Sequence, residues 1–256
     1  MLQNASMESE VSPKPIPFSK YVNYGAYHWA ECDRSSPRYN QPLEAGYKVL
    51  IRRLESAKRV LDVGCGDGYL MSLVSPLCDQ VVGIDSEPTG IRLAADKLLW
   101  ISNCRVAQAS CYQLPFADRC FDLVLLTDVI EHLESPEPCL QEISRVLTPT
   151  GTVLLTTPKW RPDRMWDHLH YKEYKPEELE ACLQAYFSQV TMTFFWRVAW
   201  YRTYATRFGC RLIRLFSRHF LTLTCKKVMT RKITTKSLPC VCPASLIDAL
   251  QMAGES

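Results

Sequence analysis

A glycine-rich turn and a carboxylate one strand further along are the residues of this chain best placed to bind a ligand. The turn has the sequence GCGDG over residues 64–68, and the carboxylate belongs to Asp85. Glycines between a buried strand and a helix let the backbone approach a ligand closely, and the helix N-terminal amides then face its polar groups. An acid at the end of the next strand can accept hydrogen bonds from both hydroxyls of a ribose. The pattern therefore predicts a site for a ligand that contains a nucleoside.

The residues around this turn argue against a nicotinamide dinucleotide. A dinucleotide fingerprint needs a third glycine at the position where this chain has Tyr69. Asp62 and Asp67 also add negative charge where a diphosphate would lie. A cationic ligand fits these carboxylates better, so an NAD-dependent oxidoreductase is the weakest of the alternatives.

Short apolar runs alternate with helical patterns through most of the chain. A helix is predicted over residues 42–56, followed by strands at 59–63, 80–85, 104–107, 121–126 and 152–156 with helices between them. Two further alternating runs, at 188–195 and 221–228, predict a sixth and a seventh strand. Strands that alternate with helices imply right-handed crossovers and a mostly parallel sheet with helices on both faces. The predicted fold class is α/β, doubly wound.

Several segments of this pattern carry a family resemblance. VLDVGCGDGYL, VVGID and LPFADRCFDLVLLTDVIEHL together resemble class I S-adenosylmethionine-dependent methyltransferases of the methyltransferase-11 group. Residues 156–183 are similar to the loop and helix after the fifth strand of ubiquinone-type small-molecule O-methyltransferases. The resemblance covers residues 43–228 and implies S-adenosyl-L-methionine as the cofactor. It also implies a Rossmann-like sheet of seven strands whose last strand is antiparallel, and it is more specific for the cofactor than for the acceptor.

The resemblance also implies roles for residues at matching positions. The cofactor-binding positions carried over are Asp62, Gly64, Cys65, Gly66, Asp67, Gly68, Asp85, Ser110, Cys111 and Thr127. Asp62 and residues 64–68 would line the methionine and ribose part, and Asp85 would bind the ribose hydroxyls. Ser110 and Cys111 would flank the adenine. Ser110 departs from the family pattern, which commonly has an acid that bonds to the adenine amine, so that contact is weaker here or comes from the backbone.

Four polar residues follow the fourth and fifth predicted strands, at the edge where parallel sheets bind ligands. They are Asp128, Glu131, His132 and His170. The methyl group of a sulfonium is already activated, so a general base is needed only for a poor nucleophile such as a hydroxyl. We predict Asp128, His132 and His170 as the catalytic candidates, with a structural role as the alternative for each histidine. His168 and His170 would share one side of an extended loop, but no carboxylate pattern lies beside them, and no metal is predicted.

The charge of the chain is unevenly distributed. The total of +3 conceals 19 Lys/Arg against 25 Asp/Glu in residues 1–180 and 11 against 2 in residues 181–256. Between the sixth and seventh predicted strands, residues 196–220 have a helical pattern. Its arginines at 207, 211, 214 and 218 share one face beside an apolar one. Such an insertion suits an anionic membrane surface or an amphiphilic acceptor, with nucleic acid as a rival and a solvated basic face as the plain alternative.

The two ends of the chain are less informative. We divide it into an N-terminal segment (1–40), a methyltransferase domain (41–228) and a C-terminal tail (229–256). Residues 21–40 are too aromatic to stay solvated, and we expect them to pack on the body as a lid. The first residues do not resemble a secretory signal, no apolar run is long enough to span a bilayer, and the twelve cysteines lack a CxxC. A cytoplasmic protein with reduced thiols is predicted, either free or peripheral to a membrane.

These observations converge on one principal hypothesis with two rivals. The sequence predicts an S-adenosylmethionine-dependent methyltransferase that acts on a small or lipid-like acceptor, and we expect the methylated atom to be oxygen. An RNA methyltransferase that uses the basic final third is one alternative. A binding protein that keeps the fold without turnover is the other.

Overall fold

Five parallel strands form the centre of the molecule. The computed structural model describes residues 20–54, 56–162, 167–196 and 225–232, with the backbone alone for 193–196 and 225–232. The strands are β1 (Ala57–Val63), β2 (Cys78–Asp85), β3 (Cys104–Gln108), β4 (Phe121–Thr127) and β5 (Leu147–Pro158). Each contains the strand predicted for it, so the α/β Rossmann-like architecture is confirmed.

The strand order brings the carboxyl ends of the central strands together. It is β3-β2-β1-β4-β5, and the backbone continues the sheet antiparallel through β7 (Cys225–Lys232) to β6 (Thr191–Trp196). Asp62 of β1 pairs with Gly83 of β2 and Leu125 of β4. The loops after β1, β2 and β4 therefore meet at one edge of the sheet. The expected insertion at 196–220 lies outside the described residues, apart from the backbone of residue 196. The predicted tail at 229–256 also lies outside them, apart from the backbone of residues 229–232, which belong to β7.

Helices cover both faces of this sheet. They are α1 (Lys20–Tyr24), α2 (Tyr27–Cys32), α3 (Gln41–Ile51), α4 (Tyr69–Val74), α5 (Pro88–Leu98), α6 (Pro136–Val146) and α7 (Pro176–Gln184). The predicted helix over 42–56 ends earlier, at Ile51. Arg53 and Leu54 donate to carbonyls three residues back, at 3.0 and 3.1 Å, and this tighter turn stops the helix.

Alternate residues of the strands build two apolar cores. Leu61, Val63 and Leu126 pack with α6 and α7 on one face, while Val60, Leu125 and Leu154 pack with α4 and α5 on the other. A parallel strand buried on both faces reads as a continuous apolar run, which is why these strands were predictable. Within the described part of the chain, no helix is long and apolar enough to cross a membrane.

Candidate functional site

The glycine loop is fixed against the end of β2. Gly64, Gly66 and Gly68 have positive φ angles of 76°, 54° and 74°, which residues other than glycine rarely adopt. The N–H groups of Gly64 and Cys65 both donate to the carbonyl of Ile84, at 2.8 and 3.0 Å. The loop therefore presents a defined backbone surface.

Asp85 joins this loop to the start of the next helix. Its Oδ2 accepts a hydrogen bond from Gly66 N at 2.9 Å, and its Oδ1 accepts one from Glu87 N, also at 2.9 Å. Burial raises the pKa of Asp85, while these two backbone bonds oppose that rise. The predicted ribose-binding acid thus also shapes the turn on which a cofactor would rest.

Asp62 is a buried carboxylate without a donor in the described structure. The residue is 1% exposed, and neither carboxylate oxygen has a hydrogen-bond partner among the described residues. Burial, followed by the nearby charge of Asp85, raises the pKa of Asp62 to about 7. An unsatisfied buried carboxylate is costly, so a ligand that carries N–H donors or positive charge would fit here.

The N-terminal segment is anchored on the same loop through Asp67. Asp67 Oδ2 accepts a hydrogen bond from the backbone N–H of His28 at 3.0 Å, and its Oδ1 lies 3.1 Å from His28 Nδ1. Trp29 Nε1 donates to the Asp67 carbonyl at 2.8 Å. The carboxylate predicted to line the cofactor site is therefore also engaged by α2, and the sequence pattern did not indicate this contact.

Tyr21 packs directly on the glycine loop. The residue is 6% exposed, and its hydroxyl lies where a Cβ on Gly66 would have to be. Its ring stacks on Tyr27 with centroids 5.5 Å apart and also approaches Gly90 of α5. Burial raises the pKa of Tyr21, helped by Tyr27 and then by Asp67 and Asp85, so the hydroxyl stays protonated beside these acids.

The predicted adenine side is formed by the turn after β3. Ser110 Oγ accepts a hydrogen bond from Tyr112 N at 3.2 Å, so the hydroxyl already serves the local turn. Cys111 is half-buried, and a hydrogen bond with Cys139 lowers its pKa. The Tyr112 ring is on the surface, with the residue 42% exposed.

The chain reverses sharply after β4 at Asp128, one residue beyond Thr127. Asp128 has a φ of 53°, its N–H donates to the Thr156 carbonyl at 2.9 Å, and its Oδ1 accepts from Thr156 Oγ1 at 3.1 Å. These bonds tie the ends of β4 and β5 together. Asp128 is thus held at the carboxyl edge of the sheet, beside the loops that carry the other candidates.

A partly buried polar cluster lies just beyond this turn, with Glu131 as its buried member. The ligand atoms of Glu131, His132 and His170 lie within 4.8 Å of one another, and the two imidazole centroids are also 4.8 Å apart. Thr157 Oγ1 donates to Glu131 Oε2 at 2.9 Å, and His132 Nδ1 lies 3.0 Å from the Leu169 carbonyl. Such a trio would also suit a divalent cation, so the expectation of no metal stays a prediction.

The two histidines of the DHLHY segment do not share a side. The His168 side chain is 86% exposed and pairs with Asp167, whereas that of His170 is 6% exposed. The expectation of an extended loop is wrong here because residues 167–170 form a turn. Glu173, which the sequence analysis missed, lies 2.8 Å from His170 Nδ1. The signal for this pair was their i, i+3 spacing.

Comparison with known proteins finds a methyltransferase domain in the chain. Residues 61–155 match the methyltransferase-11 family model, described as a methyltransferase domain. A probable S-adenosylmethionine-dependent methyltransferase of Mycobacterium tuberculosis is 30% identical over 145 residues, which cover 54% of this chain and 52% of the relative. A ubiquinone biosynthesis O-methyltransferase of Rhodopseudomonas palustris is 28% identical over 211 residues, which cover 68% of this chain and 81% of the relative.

A solved structure shows the same fold. The N-methyltransferase NodS of Bradyrhizobium japonicum, in complex with S-adenosyl-L-homocysteine, aligns with a TM-score of 0.59 at 16% identity, covering 83% of this chain and 98% of that one. The chain spans about half the length of several curated relatives that it matches. The glycine loop and Asp85 lie within the matched residues. Residues 61–155 of this chain thus match a methyltransferase domain, and the chain is similar to S-adenosylmethionine-dependent methyltransferases.

Proposed function

We propose that this protein transfers a methyl group from S-adenosyl-L-methionine to a hydroxyl of a small-molecule or lipid-like acceptor. The observation that carries the proposal is Asp62, a buried carboxylate beside the glycine loop with no donor from the described chain. The cofactor carries an ammonium and a sulfonium, and either charge would compensate a buried carboxylate.

The loop residues divide the binding of the cofactor between them. Asp62 and the loop at residues 64–68 would hold the methionine part, and Asp85 the ribose. Ser110 and Cys111 would flank the adenine, with Thr127 and Asp128 below the sulfonium. When bound, the cofactor supplies a methyl group that is already activated for in-line displacement. The chain's own work is to orient the acceptor, exclude water and remove a proton.

The acceptor would enter on the side of His132 and His170. The N-terminal segment reaches this side because Lys20 pairs with Asp167 in the loop before His170. We propose that residues 20–40 act as a lid that covers the cofactor with Tyr21 and closes toward the acceptor through this ion pair. Hydroxyl methylation is supported by the neighbouring histidines, since a hydroxyl needs a base.

The basic final third bears on where the acceptor resides. Its arginines at 207, 211, 214 and 218 lie outside the described residues, so their role stays a proposal. We propose that they contact an anionic membrane from its cytoplasmic side, or that they bind an amphiphilic acceptor. Flotation with anionic liposomes tests this proposal. The wild-type protein should float with the liposomes, and a variant in which the four arginines are replaced should not. Binding to RNA that weakens steeply with salt would favour the nucleic-acid alternative.

The acceptor can be sought directly with labelled cofactor. Cofactor with a deuterated methyl group is incubated with the protein and with separate polar, lipid and RNA extracts, and Asp85→Asn serves as the control. The proposal expects a labelled methyl ether in the polar or lipid extract for the wild type and far less for the variant. Label confined to RNA, or binding of the cofactor without label in any extract, would contradict it.

A further inference from the structure

We infer that Glu173 is a positioning residue that holds His170 as the general base for a hydroxyl acceptor. The inference rests on the proposed function and assigns a role to a glutamate that the sequence left unnoticed. Glu173 Oε1 lies 2.8 Å from His170 Nδ1, and the side chains are 2% and 6% exposed. A carboxylate beside a buried imidazole fixes both the tautomer and the orientation of the ring.

The backbone around this pair is held on the short 3₁₀ helix that follows β4. The N–H groups of Tyr171 and Lys172 both donate to the Glu131 carbonyl, at 2.8 and 3.2 Å. The Leu169 carbonyl lies 3.0 Å from His132 Nδ1, which adds a third link between the two loops. The 169–173 turn is therefore seated against the 3₁₀ helix Ile130–His132. His170 is placed there by several backbone bonds, so its ring position does not depend on the acceptor.

The two histidines of the cluster differ in their partners. His170 Nδ1 faces a carboxylate, which can accept its N–H and stabilise a positive charge on the ring. His132 Nδ1 faces a neutral carbonyl, and burial lowers the pKa of His132, with a further contribution from His170. The surroundings of His132 therefore disfavour its cationic form. Of the two histidine candidates, the geometry favours His170 as the proton acceptor.

The chemical step can be written in full. An acceptor hydroxyl gives its proton to His170 Nε2, and its oxygen forms a bond to the methyl carbon. The carbon–sulfur bond of the cofactor breaks, and its electron pair stays on the sulfur of S-adenosylhomocysteine. Glu173 stabilises the imidazolium until the proton passes to water. A base of this kind suits an un-ionised hydroxyl, and an acceptor that is already a strong nucleophile would not need it.

The orientation of His170 can be measured without any acceptor. Imidazole ¹⁵N spectra of the protein saturated with S-adenosylhomocysteine report which ring nitrogen carries the proton. We expect the Nδ1–H tautomer of His170 in the wild type and in Glu177→Gln, whose glutamate is exposed in α7. Glu173→Gln should lose that preference. A proton on Nε2 in the wild type, or an unchanged tautomer in Glu173→Gln, would overturn the inference.

The role as a base is tested with two probes of similar size. Phenol is un-ionised near neutral pH, whereas thiophenol is largely ionised and needs no base. His170→Gln should reduce methylation of phenol by about 10²–10⁴-fold and Glu173→Gln by about tenfold or more, with little change for thiophenol. His168→Gln is the control for the exposed histidine. Equal losses for both probes would indicate a structural role and contradict the inference.

Three other results are also decisive. If the wild type methylates neither probe, the tautomer measurement alone decides the pairing of Glu173 with His170. A shift of the His170 Nε2 signal on adding Mg²⁺, with activity lost to a chelator, would overturn the role as base by making this nitrogen a metal ligand. Failure to bind S-adenosylhomocysteine would instead count against the proposed function, and it is recorded separately by calorimetry.

Discussion

The backbone N–H of Gly66 donates to Asp85 Oδ2 at 2.9 Å, which joins the middle of the glycine loop to the end of β2. The other carboxylate oxygen accepts the N–H of Glu87 just before α5. One acidic side chain therefore fixes two turns that would meet at the cofactor. A substitution at Asp85 should disturb the shape of the loop as well as any direct contact with a ribose.

Asp62 should make the stability of the ligand-free protein fall as pH rises. The pKa of an ordinary solvated aspartate is 3.8, and that of Asp62 in the folded protein is about 7. The folded state holds this proton more tightly than the unfolded state does. The loss of stability that comes from ionising Asp62 is therefore absent below pH 3.8, grows between these two values and is complete above pH 7. At about 1.4 kcal/mol per pKa unit, its full size is roughly 4 kcal/mol. Urea unfolding at several pH values measures this effect. Between low and neutral pH, the free energy of unfolding should fall less in Asp62→Asn than in the wild type, and the difference should be of this size.

Repeating the unfolding measurements with a bound ligand checks that Asp62 is the source of the pH dependence. Saturating S-adenosylhomocysteine should reduce this pH dependence in the wild type, because its ammonium would compensate the carboxylate. In Asp62→Asn the ligand should have a smaller effect. Identical pH profiles for the wild type and the variant would show that the buried carboxylate of Asp62 carries no such cost.

Gly66 should be far less tolerant of alanine than Gly25, although both have positive φ angles. Gly25 has a φ of 61°, and a Cβ added there would meet no atom within 4 Å. Gly25→Ala should therefore lower the free energy of unfolding only through backbone strain, by about 1 kcal/mol. At Gly66 a Cβ would collide with Tyr21, so Gly66→Ala should cost about 1–3 kcal/mol more. Chemical denaturation of the two variants measures the difference.

A second substitution separates collision from strain. In Gly66→Ala/Tyr21→Ala the clash is absent, so the alanine at position 66 should cost about as much as it does at position 25. If Gly66→Ala is equally destabilising with and without Tyr21, the contact between α1 and the loop is not the cause.

Trp29 should contribute to stability while the exposed Trp100 should not. Trp29 Nε1 donates to the Asp67 carbonyl, and its ring packs edge-on to Tyr69 with centroids 5.3 Å apart. Trp29→Phe should therefore lower the free energy of unfolding by about 1–2 kcal/mol. Trp100 is 90% exposed, so Trp100→Phe should change it by less than about 0.5 kcal/mol. Equal effects would argue against the anchoring of α2 on the glycine loop.

The parallel strands were predictable because burial on both faces leaves an unbroken apolar run, as at residues 121–126. The glycine loop and Asp85 were predictable because backbone geometry restricts residue type there. The contacts of the N-terminal segment were not, since His28 and Asp67 are 39 residues apart and meet only through tertiary packing. The pairing of Glu173 with His170 and the exposure of His168 were not predicted, because residues 167–170 form a turn and not the expected extended loop.

The glycine loop and Asp85 are proposed above all as the binding site for S-adenosylmethionine. Isothermal titration of S-adenosylhomocysteine into the wild type, Asp85→Asn and Asp79→Asn tests this binding. Asp79 is exposed at the opposite end of β2 and serves as the matched control. We expect one site per chain in the wild type and in Asp79→Asn, with affinity about tenfold or more weaker in Asp85→Asn, a difference of about 1.4 kcal/mol. No binding to the wild type, or equal affinity in all three proteins, would contradict the assignment.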